Sequence, residues 1–194
     1  MTIQLEQEVK FPLPSIDAGA SKLAALGARV ETKRHFEANI LFDFPDGRLS
    51  KRDEALRLRR VGDDAWLTWK GPQHGGGRIK QRRELETLLE DGDAVEGILE
   101  ALGLEECFRY EKYRTSYRLH HLDDAVLMLD ETPMGAFMEI EAAPARISEL
   151  AEKLGIDMAD AISVSYPRLY ERFRLETPDA PEFMVFPENA SPAS

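Results

Sequence analysis

Charged and apolar residues alternate with a period of two in several short stretches of this 194-residue chain. The first stretch is LEQEVKF at residues 5–11. In an extended strand Glu6, Glu8 and Lys10 would share one face, and mainly apolar residues would share the other. Two carboxylates on the same face repel each other, so a strand gains nothing from this arrangement alone. Any fold proposed for this chain therefore has to explain what lies opposite the charged face.

Eight segments with this alternation are predicted to be strands. Glycine, proline and aspartate dominate most of the connections, and the connections are mainly short. Short connections favour antiparallel pairing of neighbouring strands. In chain order the predicted strands are 5–11, 37–44, 55–61, 65–70, 79–87, 109–119, 125–132 and 136–142.

The longer gaps between these strands carry helix signals. One helix is predicted to begin at a Ser15 cap, and a second at Asp93, which precedes Glu96 by three residues in an acidic variant of the capping box. The predicted helices are 15–27, 93–103, 145–155, 159–163 and 165–173.

Composition narrows the class of protein. The formal net charge of −11 argues against a basic surface for nucleic acid. No apolar run approaches the roughly 18 residues that span a membrane, and the first residues lack a signal-peptide pattern, so we expect a cytoplasmic protein. The single cysteine, Cys107, excludes an internal disulfide.

Sorting each predicted strand by parity collects charged residues on one face and apolar residues on the other. A sheet with one solvated face gives the same alternation in a single strand. Here, however, the polar positions are nearly all fully charged, and each sign clusters on particular strands. The basic members are Lys10, Arg57, Arg59, Lys70, Arg82, Lys112, Arg114 and Arg118, and the acidic members are Glu6, Glu8, Glu84, Glu86, Asp130, Glu139 and Glu141.

Such a face has a definite chemistry if the sheet closes on itself. About eight strands leave an interior wide enough for side chains or one small ligand. Carboxylates are hard oxygen ligands for Mg²⁺ or Mn²⁺, and arginine and lysine bind phosphate oxygens. Carboxylates facing arginines and lysines therefore match a complex of a metal with a polyphosphate.

The same segments resemble a known family. Glu6-Gln7-Glu8-Val9-Lys10 matches the ExExK signature of the CYTH superfamily, the triphosphate tunnel metalloenzymes. Further segments resemble the family's successive strands in order, so the resemblance covers about residues 3–173. They are LFDFPDGRL, ALRLRR, LTWKGP, RRELE, EKYR, LDETPMGAFMEIE and SVSYPRLY.

The resemblance implies an α+β fold in which helices pack outside an eight-stranded antiparallel β-barrel, the triphosphate tunnel. We expect residues 1–175 to form this tunnel domain. Residues 176–194 are rich in proline and small residues and are predicted to form an irregular tail that docks Phe183, Met184 and Phe186 onto the body.

Carried over position by position, the resemblance also implies a site. Arg82 could exchange places with Arg83 if the register slipped by one residue, and Phe44 stands where the family often has threonine. The implied ligands of Mg²⁺ or Mn²⁺ are Glu6, Glu8, Asp130, Glu139 and Glu141. The implied phosphate-binding residues are Lys10, Arg57, Arg59, Lys70, Arg82, Lys112 and Arg114. The residues expected to take part most directly in catalysis are Glu6, Glu8, Lys10 and Lys70.

Three functions fit this site. A metal-dependent triphosphatase acting on inorganic, nucleoside or thiamine triphosphate is preferred, because it needs only a triphosphate, a metal and water. A class IV adenylyl cyclase would also need an adenine site, for which Phe44, Trp66, Trp69 and Tyr166 are the aromatic candidates. A non-catalytic polyphosphate- or nucleotide-binding module is the third. In each case the partner is a small-molecule triphosphate rather than nucleic acid or membrane, and the protein is expected to be a monomer or homodimer.

Overall fold

The computed structural model describes residues 4–74, 77–120 and 122–187 and confirms the α+β barrel. Eight antiparallel strands close in the order β1-β5-β4-β3-β2-β6-β7-β8. Their bounds are β1 Gln4–Leu13, β2 Ala28–Asp43, β3 Ala55–Val61, β4 Asp64–Lys70, β5 Lys80–Leu89, β6 Glu105–Leu119, β7 Leu122–Thr132 and β8 Gly135–Glu141.

The first half of β2 was not predicted. Residues 29–34 are exposed, and their sequence RVETKR shows no alternation. This part of β2 pairs with the end of β6 through register shifts on either side of Thr32. It buries neither face, so it lacks the period-two pattern that identifies a half-buried strand.

The described residues form four α-helices, α1 Ile16–Ala25, α2 Gly92–Ala101, α3 Pro144–Lys153 and α4 Tyr166–Glu176. Ser15 caps α1 as expected, by accepting a hydrogen bond from the backbone N–H of Ala18. The cap of α2 was predicted wrongly, because Asp91 accepts the corresponding bond and Asp93 instead pairs with Arg60. None of the helices in the described ranges is long and apolar enough to cross a membrane.

The predicted helix over 159–163 is also wrong. Only a short 3₁₀ turn, Met158–Asp160, forms there. Ile162 then exchanges two backbone hydrogen bonds with Lys10 of β1. Pairing with β1 holds this stretch extended and brings the start of α4 to the barrel.

The main apolar core lies outside the barrel wall. Outward-facing side chains of β1, β7 and β8 pack against α1 and α3, while the charged residues alternate to the inside. Its fully buried members include Val9, Phe11, Leu23, Leu127, Met138, Ile140, Ile147 and Leu150.

The segment after α4 completes the wall of the barrel. The pairing of β6 with β7 extends only as far as Tyr113 along β6. Beyond that point Met184 bonds through its backbone to Arg109 and Glu111 of β6, and its side chain is fully buried. These bonds satisfy strand-edge groups that would otherwise be unpaired. Residues 188–194 of the expected tail lie outside the described residues.

Two helical glycines give opposite expectations for stability. A Cβ at Gly19 of α1 would lie 2.6 Å from Leu13 Cδ1 and 2.7 Å from Leu129 Cδ2, whereas a Cβ at Gly97 of α2 would meet nothing within 4 Å. Gly19→Ala should therefore lower the free energy of unfolding by about 1–3 kcal/mol through overpacking. Gly97→Ala should raise it by about 0.5–1 kcal/mol through helix propensity. Urea denaturation of both variants checks this, and changes of the same sign would contradict the packing of α1 on the barrel.

A charged tunnel as the candidate active site

The barrel encloses a cavity of about 240 Å³. Ser165, Tyr166 and Pro167, at the start of α4, contribute to its wall. The remaining wall is mostly charged, as the parity of the strands predicted. Its charged residues are Glu6, Glu8, Lys10, Arg57, Arg59, Lys70, Lys80, Arg82, Glu84, Glu86, Lys112, Arg114, Glu139 and Glu141.

One part of the wall concentrates negative charge. Glu8 of β1 lies directly opposite Glu141 of β8 in the strand register, and Glu6 and Glu84 also line the cavity. Burial, followed by repulsion from Glu6 and Glu8, raises the pKa of Glu141 to about 7. Repulsion among these carboxylates would be relieved by a cation between them. We call these four residues the acidic cluster.

Lysines currently occupy two edges of the acidic cluster. Lys70 Nζ lies 3.0 Å from Glu6 Oε1 and also pairs with Glu84, while Lys80 pairs with Glu8. In this arrangement no three His, Cys, Asp or Glu side chains of the described chain converge on a common point as a ready metal site. The oxygen donors suit Mg²⁺ or Mn²⁺, but a cation would have to take some of these oxygens from the lysines.

A second part of the wall contains arginines that have unused hydrogen-bond donors. Arg57 reaches Thr68 Oγ1 at 3.2 Å, and Arg59 reaches Glu86 at 3.3 Å. The buried Nε atoms of both arginines lack a hydrogen-bond partner within the described residues. Burial and the neighbouring Arg57 lower the pKa of Arg59. An anion here would relieve the repulsion and use the free N–H groups.

The other part of the basic wall is already neutralised. Asp130 is fully buried and accepts hydrogen bonds from Lys112 at 3.0 Å, from Arg114 Nε at 2.6 Å and from the hydroxyl of Tyr166 at 2.7 Å. Glu139 pairs with Lys10 and Arg114. Although burial opposes ionisation, Lys10 and Arg114 hold the pKa of Glu139 well below its usual range.

The expected metal-binding residues thus fall into two groups. Glu6, Glu8 and Glu141 repel one another within the acidic cluster, whereas Asp130 and Glu139 are surrounded by basic groups. The parity of β5 is as expected, because Arg82 is buried and lines the cavity while Arg83 is exposed. Arg82 also donates to Asp53 Oδ1 at 2.6 Å.

Two expected wall residues, Asp130 and Arg118, do not line the cavity, and Asp130 is fully buried among its basic partners. Arg118 pairs with Glu31 of β2 at 2.8 Å instead of lining this cavity. Parity alone placed it inside, but this end of β6 pairs with the exposed half of β2 beyond the register shifts.

Sequence reasoning missed two charged residues. Lys80 shares the parity of Arg82 and Glu84, so the signal was present in the sequence. Glu37 is almost fully buried beside Arg59 and Lys112. It occurs in a segment, EANILFDF, whose other residues are mainly apolar, so parity did not single it out.

The aromatic residues that line the cavity in the described part of the chain are Tyr110 and Tyr166. Tyr166 donates to Asp130, and its ring lies 3.9 Å from Lys10 Nζ. Burial, followed by the charge of Asp130, raises the pKa of Tyr166 well above its usual value. Tyr110 accepts a hydrogen bond from Arg57 at 3.4 Å. Phe44, Trp66 and Trp69 are not among the lining residues.

Comparison with known proteins agrees with this architecture. The chain is 27% identical over 175 residues to MJ0240 of Methanocaldococcus jannaschii, which is provisionally named an adenylate cyclase. The aligned region covers 89% of this chain and 97% of MJ0240. The PH1819 protein of Pyrococcus horikoshii has 26% identity and a TM-score of 0.75, covering 87% and 99% of the two chains.

HpAC1 from Hippeastrum shares the fold at 21% identity with a TM-score of 0.66, covering 87% of this chain and 96% of its own. It is provisionally named an adenylyl cyclase and is reported to have a dominant triphosphatase activity. The family model for the CYTH domain matches residues 4–166 of the present chain. With this match over most of its length and a closed eight-stranded tunnel of charged residues, the chain belongs to the CYTH family.

Proposed function

We propose that this protein is a divalent-metal-dependent hydrolase of small triphosphates. The observation that carries the proposal is the division of one enclosed cavity into an acidic cluster and a wall of arginines with unused donors. A triphosphate with its metal has the complementary division of charge. Without such a ligand, part of the charge in each half of the cavity remains uncompensated.

Each group of side chains then has a separate task. Arg57, Arg59 and Arg82 bind phosphate oxygens, because guanidinium groups bind such oxygens in pairs. Glu6, Glu8 and Glu141 would hold Mg²⁺ or Mn²⁺, with Glu84 beside them. When bound, the metal supplies positive charge to the phosphate oxygens and to the attacking water.

Two lysines of the cavity wall each pair with members of the acidic cluster. Lys70 bridges Glu6 and Glu84, and Lys80 pairs with Glu8. If these carboxylates held a cation, the ammonium groups of Lys70 and Lys80 would be available to contact phosphate. Lys10 lies between Glu139 and the ring of Tyr166, which hold its ammonium group at the cavity wall. The charges are thus in place before the reaction, as electrostatic catalysis requires.

Hydrolysis is favoured over cyclisation because the described residues show no evident site for a nucleobase. The lining aromatics of the described chain, Tyr110 and Tyr166, are both engaged through their hydroxyls. The cavity of about 240 Å³ is smaller than the roughly 300–1,000 Å³ typical of small-molecule pockets. These features suit a compact ligand such as tripolyphosphate.

Adenylyl cyclase activity is the second candidate, and the name of MJ0240 favours it. A cyclase would bring the ribose 3′-oxygen of ATP to the α-phosphorus and release pyrophosphate. That reaction requires one fixed orientation of the nucleoside. A non-catalytic triphosphate-binding module is the third candidate, although an acidic cluster would contribute little to binding an anion alone.

A product assay tests these candidates directly. The purified protein is incubated with tripolyphosphate, ATP or thiamine triphosphate and Mg²⁺ or Mn²⁺, and phosphate, pyrophosphate and cyclic AMP are measured. We expect phosphate without cyclic AMP. Cyclic AMP with equimolar pyrophosphate would establish the cyclase instead. Binding without any product, detected as a rise in melting temperature, would establish the binding module.

The acidic cluster should be essential for turnover. Glu8→Gln removes a proposed metal ligand and should lower kcat/KM by more than the roughly 10–100-fold that outer-shell changes cost. Glu131→Gln is the matched control, since Glu131 pairs with Arg34 away from the cavity. Melting curves verify that both variants fold. Full activity of folded Glu8→Gln would remove Glu8 from the metal site.

The raised pKa of Glu141 predicts a pH-dependent stability. Its pKa is about 7 in the folded protein, above its usual value of 4.5, so folding favours the protonated form. This contribution is fully present below about pH 4.5 and is lost as the pH rises through 7. Without metal, Glu141→Gln should therefore melt higher than the wild type at pH 8, with a difference that shrinks towards pH 5. A difference independent of pH would show that Glu141 is not in a repulsive cluster.

Neutralising Asp130 should lower the stability of the protein, whereas neutralising Glu141 should raise it at pH 8. Asp130→Asn removes the charge of the carboxylate closest to Lys112, leaves Lys112 and Arg114 with only Glu37 and Glu139 among the described carboxylates, and should lower the free energy of unfolding by about 3 kcal/mol even without metal. Chemical denaturation in the presence of a chelator measures this cost. A loss of stability seen only when metal is present would instead identify Asp130 as mainly a metal ligand.

A further inference from the structure

Glu37 is a buried carboxylate surrounded by positive groups from three strands. Its side chain is 2% exposed. His35 Nε2 lies 3.3 Å from Oε1, Lys112 Nζ lies 3.5 Å from Oε2, and Arg59 Nη1 lies 3.9 Å from Oε1. Although burial opposes ionisation, Lys112 and Arg114 hold the pKa of Glu37 well below its usual range. The residue is therefore a carboxylate inside the protein.

Strand order explains why one carboxylate reaches two basic residues of the tunnel. Glu37 lies on β2, which pairs with β3 along one edge and with β6 along the other. Arg59 comes from β3, and Lys112 is the direct register partner of Glu37 on β6. The carboxylate thus bridges the two strands that carry these phosphate-side groups. Without it the two cations would repel each other across β2.

The contacts of Glu37 leave both cations able to bind a ligand. At 3.5 and 3.9 Å they are ion pairs longer than a normal hydrogen bond, and Oε2 has no hydrogen-bond partner in the described structure. Arg59 also keeps a free Nε. Glu37 therefore orients both groups without saturating their donors, in contrast to the close contacts of Asp130 with Lys112 and Arg114.

His35 supports the carboxylate from the outer side. Its imidazole is partly exposed, with Nδ1 2.9 Å from the carbonyl oxygen of Lys33 and Nε2 facing Glu37. The hydrogen bond to Glu37 raises the pKa of His35 although burial opposes it, and the nearby Arg114 also opposes it.

We propose that Glu37 is a positioning residue of the tunnel, which holds Arg59 and Lys112 at the spacing that a phosphate group needs, with His35 as its outer support. This inference rests on the proposed function, because the bound phosphate belongs to the triphosphate substrate. Glu37 itself contacts neither the metal nor the substrate. Its effect is expected on binding of the polyphosphate more than on the chemical step.

The test compares Glu37→Gln, Glu37→Asp and the control Glu131→Gln with the wild type. Tripolyphosphate with Mg²⁺ is the probe, and KM, kcat and the rise in melting temperature on binding are measured. Glu37→Gln should raise KM about tenfold, change kcat less, and reduce the melting shift. Glu37→Asp keeps the charge and should restore part of the loss, while Glu131→Gln should match the wild type.

A ligand-free measurement separates this inference from the proposed function. The pKa of His35, followed by NMR, should fall towards its usual value in Glu37→Gln and stay raised in the control. If the wild type neither binds nor hydrolyses tripolyphosphate, the proposed function fails. If the wild type does so, but a folded Glu37→Gln keeps the wild-type KM or the His35 pKa, the positioning role is overturned. If Glu37→Gln does not fold, Glu37→Asp and His35→Gln are measured with the same readouts. A wild-type KM in both of these variants overturns the positioning role.

Discussion

Compensation of charge inside a closed barrel is the constraint on which the rest of this structure depends. An unpaired buried charge is costly, so each interior charge must face a partner across the strands. The register provides this for Glu6 opposite Arg82 and for Lys10 opposite Glu139. Glu8 is compensated on one side only, where Lys80 of β5 lies opposite it, because on its other side it faces Glu141 of β8. The tunnel is therefore balanced nearly everywhere and repulsive at one place, which is where a cation would be favoured.

A barrel with a charged interior has to obtain its stability elsewhere. The apolar faces of β1, β7 and β8 point outwards, where α1 and α3 cover them. The chain after α4 adds Met184 to the open edge of β6. This arrangement frees the interior for ligand chemistry, because burial of apolar area outside the wall stabilises the fold. It also links the C-terminal region to the site, since Tyr166 at the start of α4 donates to the buried Asp130.

The basic residues of the tunnel differ in how fully they are already engaged. Lys10, Lys112 and Arg114 are held by Asp130 and Glu139. Arg57 and Arg59 keep Nε donors that no described residue uses. This difference suggests that Lys10 and Arg114 mainly shape the cavity, whereas Arg57 and Arg59, with Lys112 beside Glu37, bind incoming phosphate. Hydrolysis and cyclisation could use the same charges, so the choice between them depends on how the rest of the substrate is held.

The sequence alone determined the eight strands, their outward apolar faces and most of the tunnel wall, because a period of two assigns every second residue to the same side. Parity favoured Arg82 over Arg83 but left a one-residue slip open, and the register of β5 in the structure decided for Arg82. Only the tertiary structure decided which charges pair. It separated Asp130 and Glu139 from the acidic cluster, moved Arg118 to the exposed pairing with β2, and brought Glu37 between Arg59 and Lys112. Parity gives the side of a strand, whereas strand order, register shifts and closure of the barrel bring residues distant in sequence into contact.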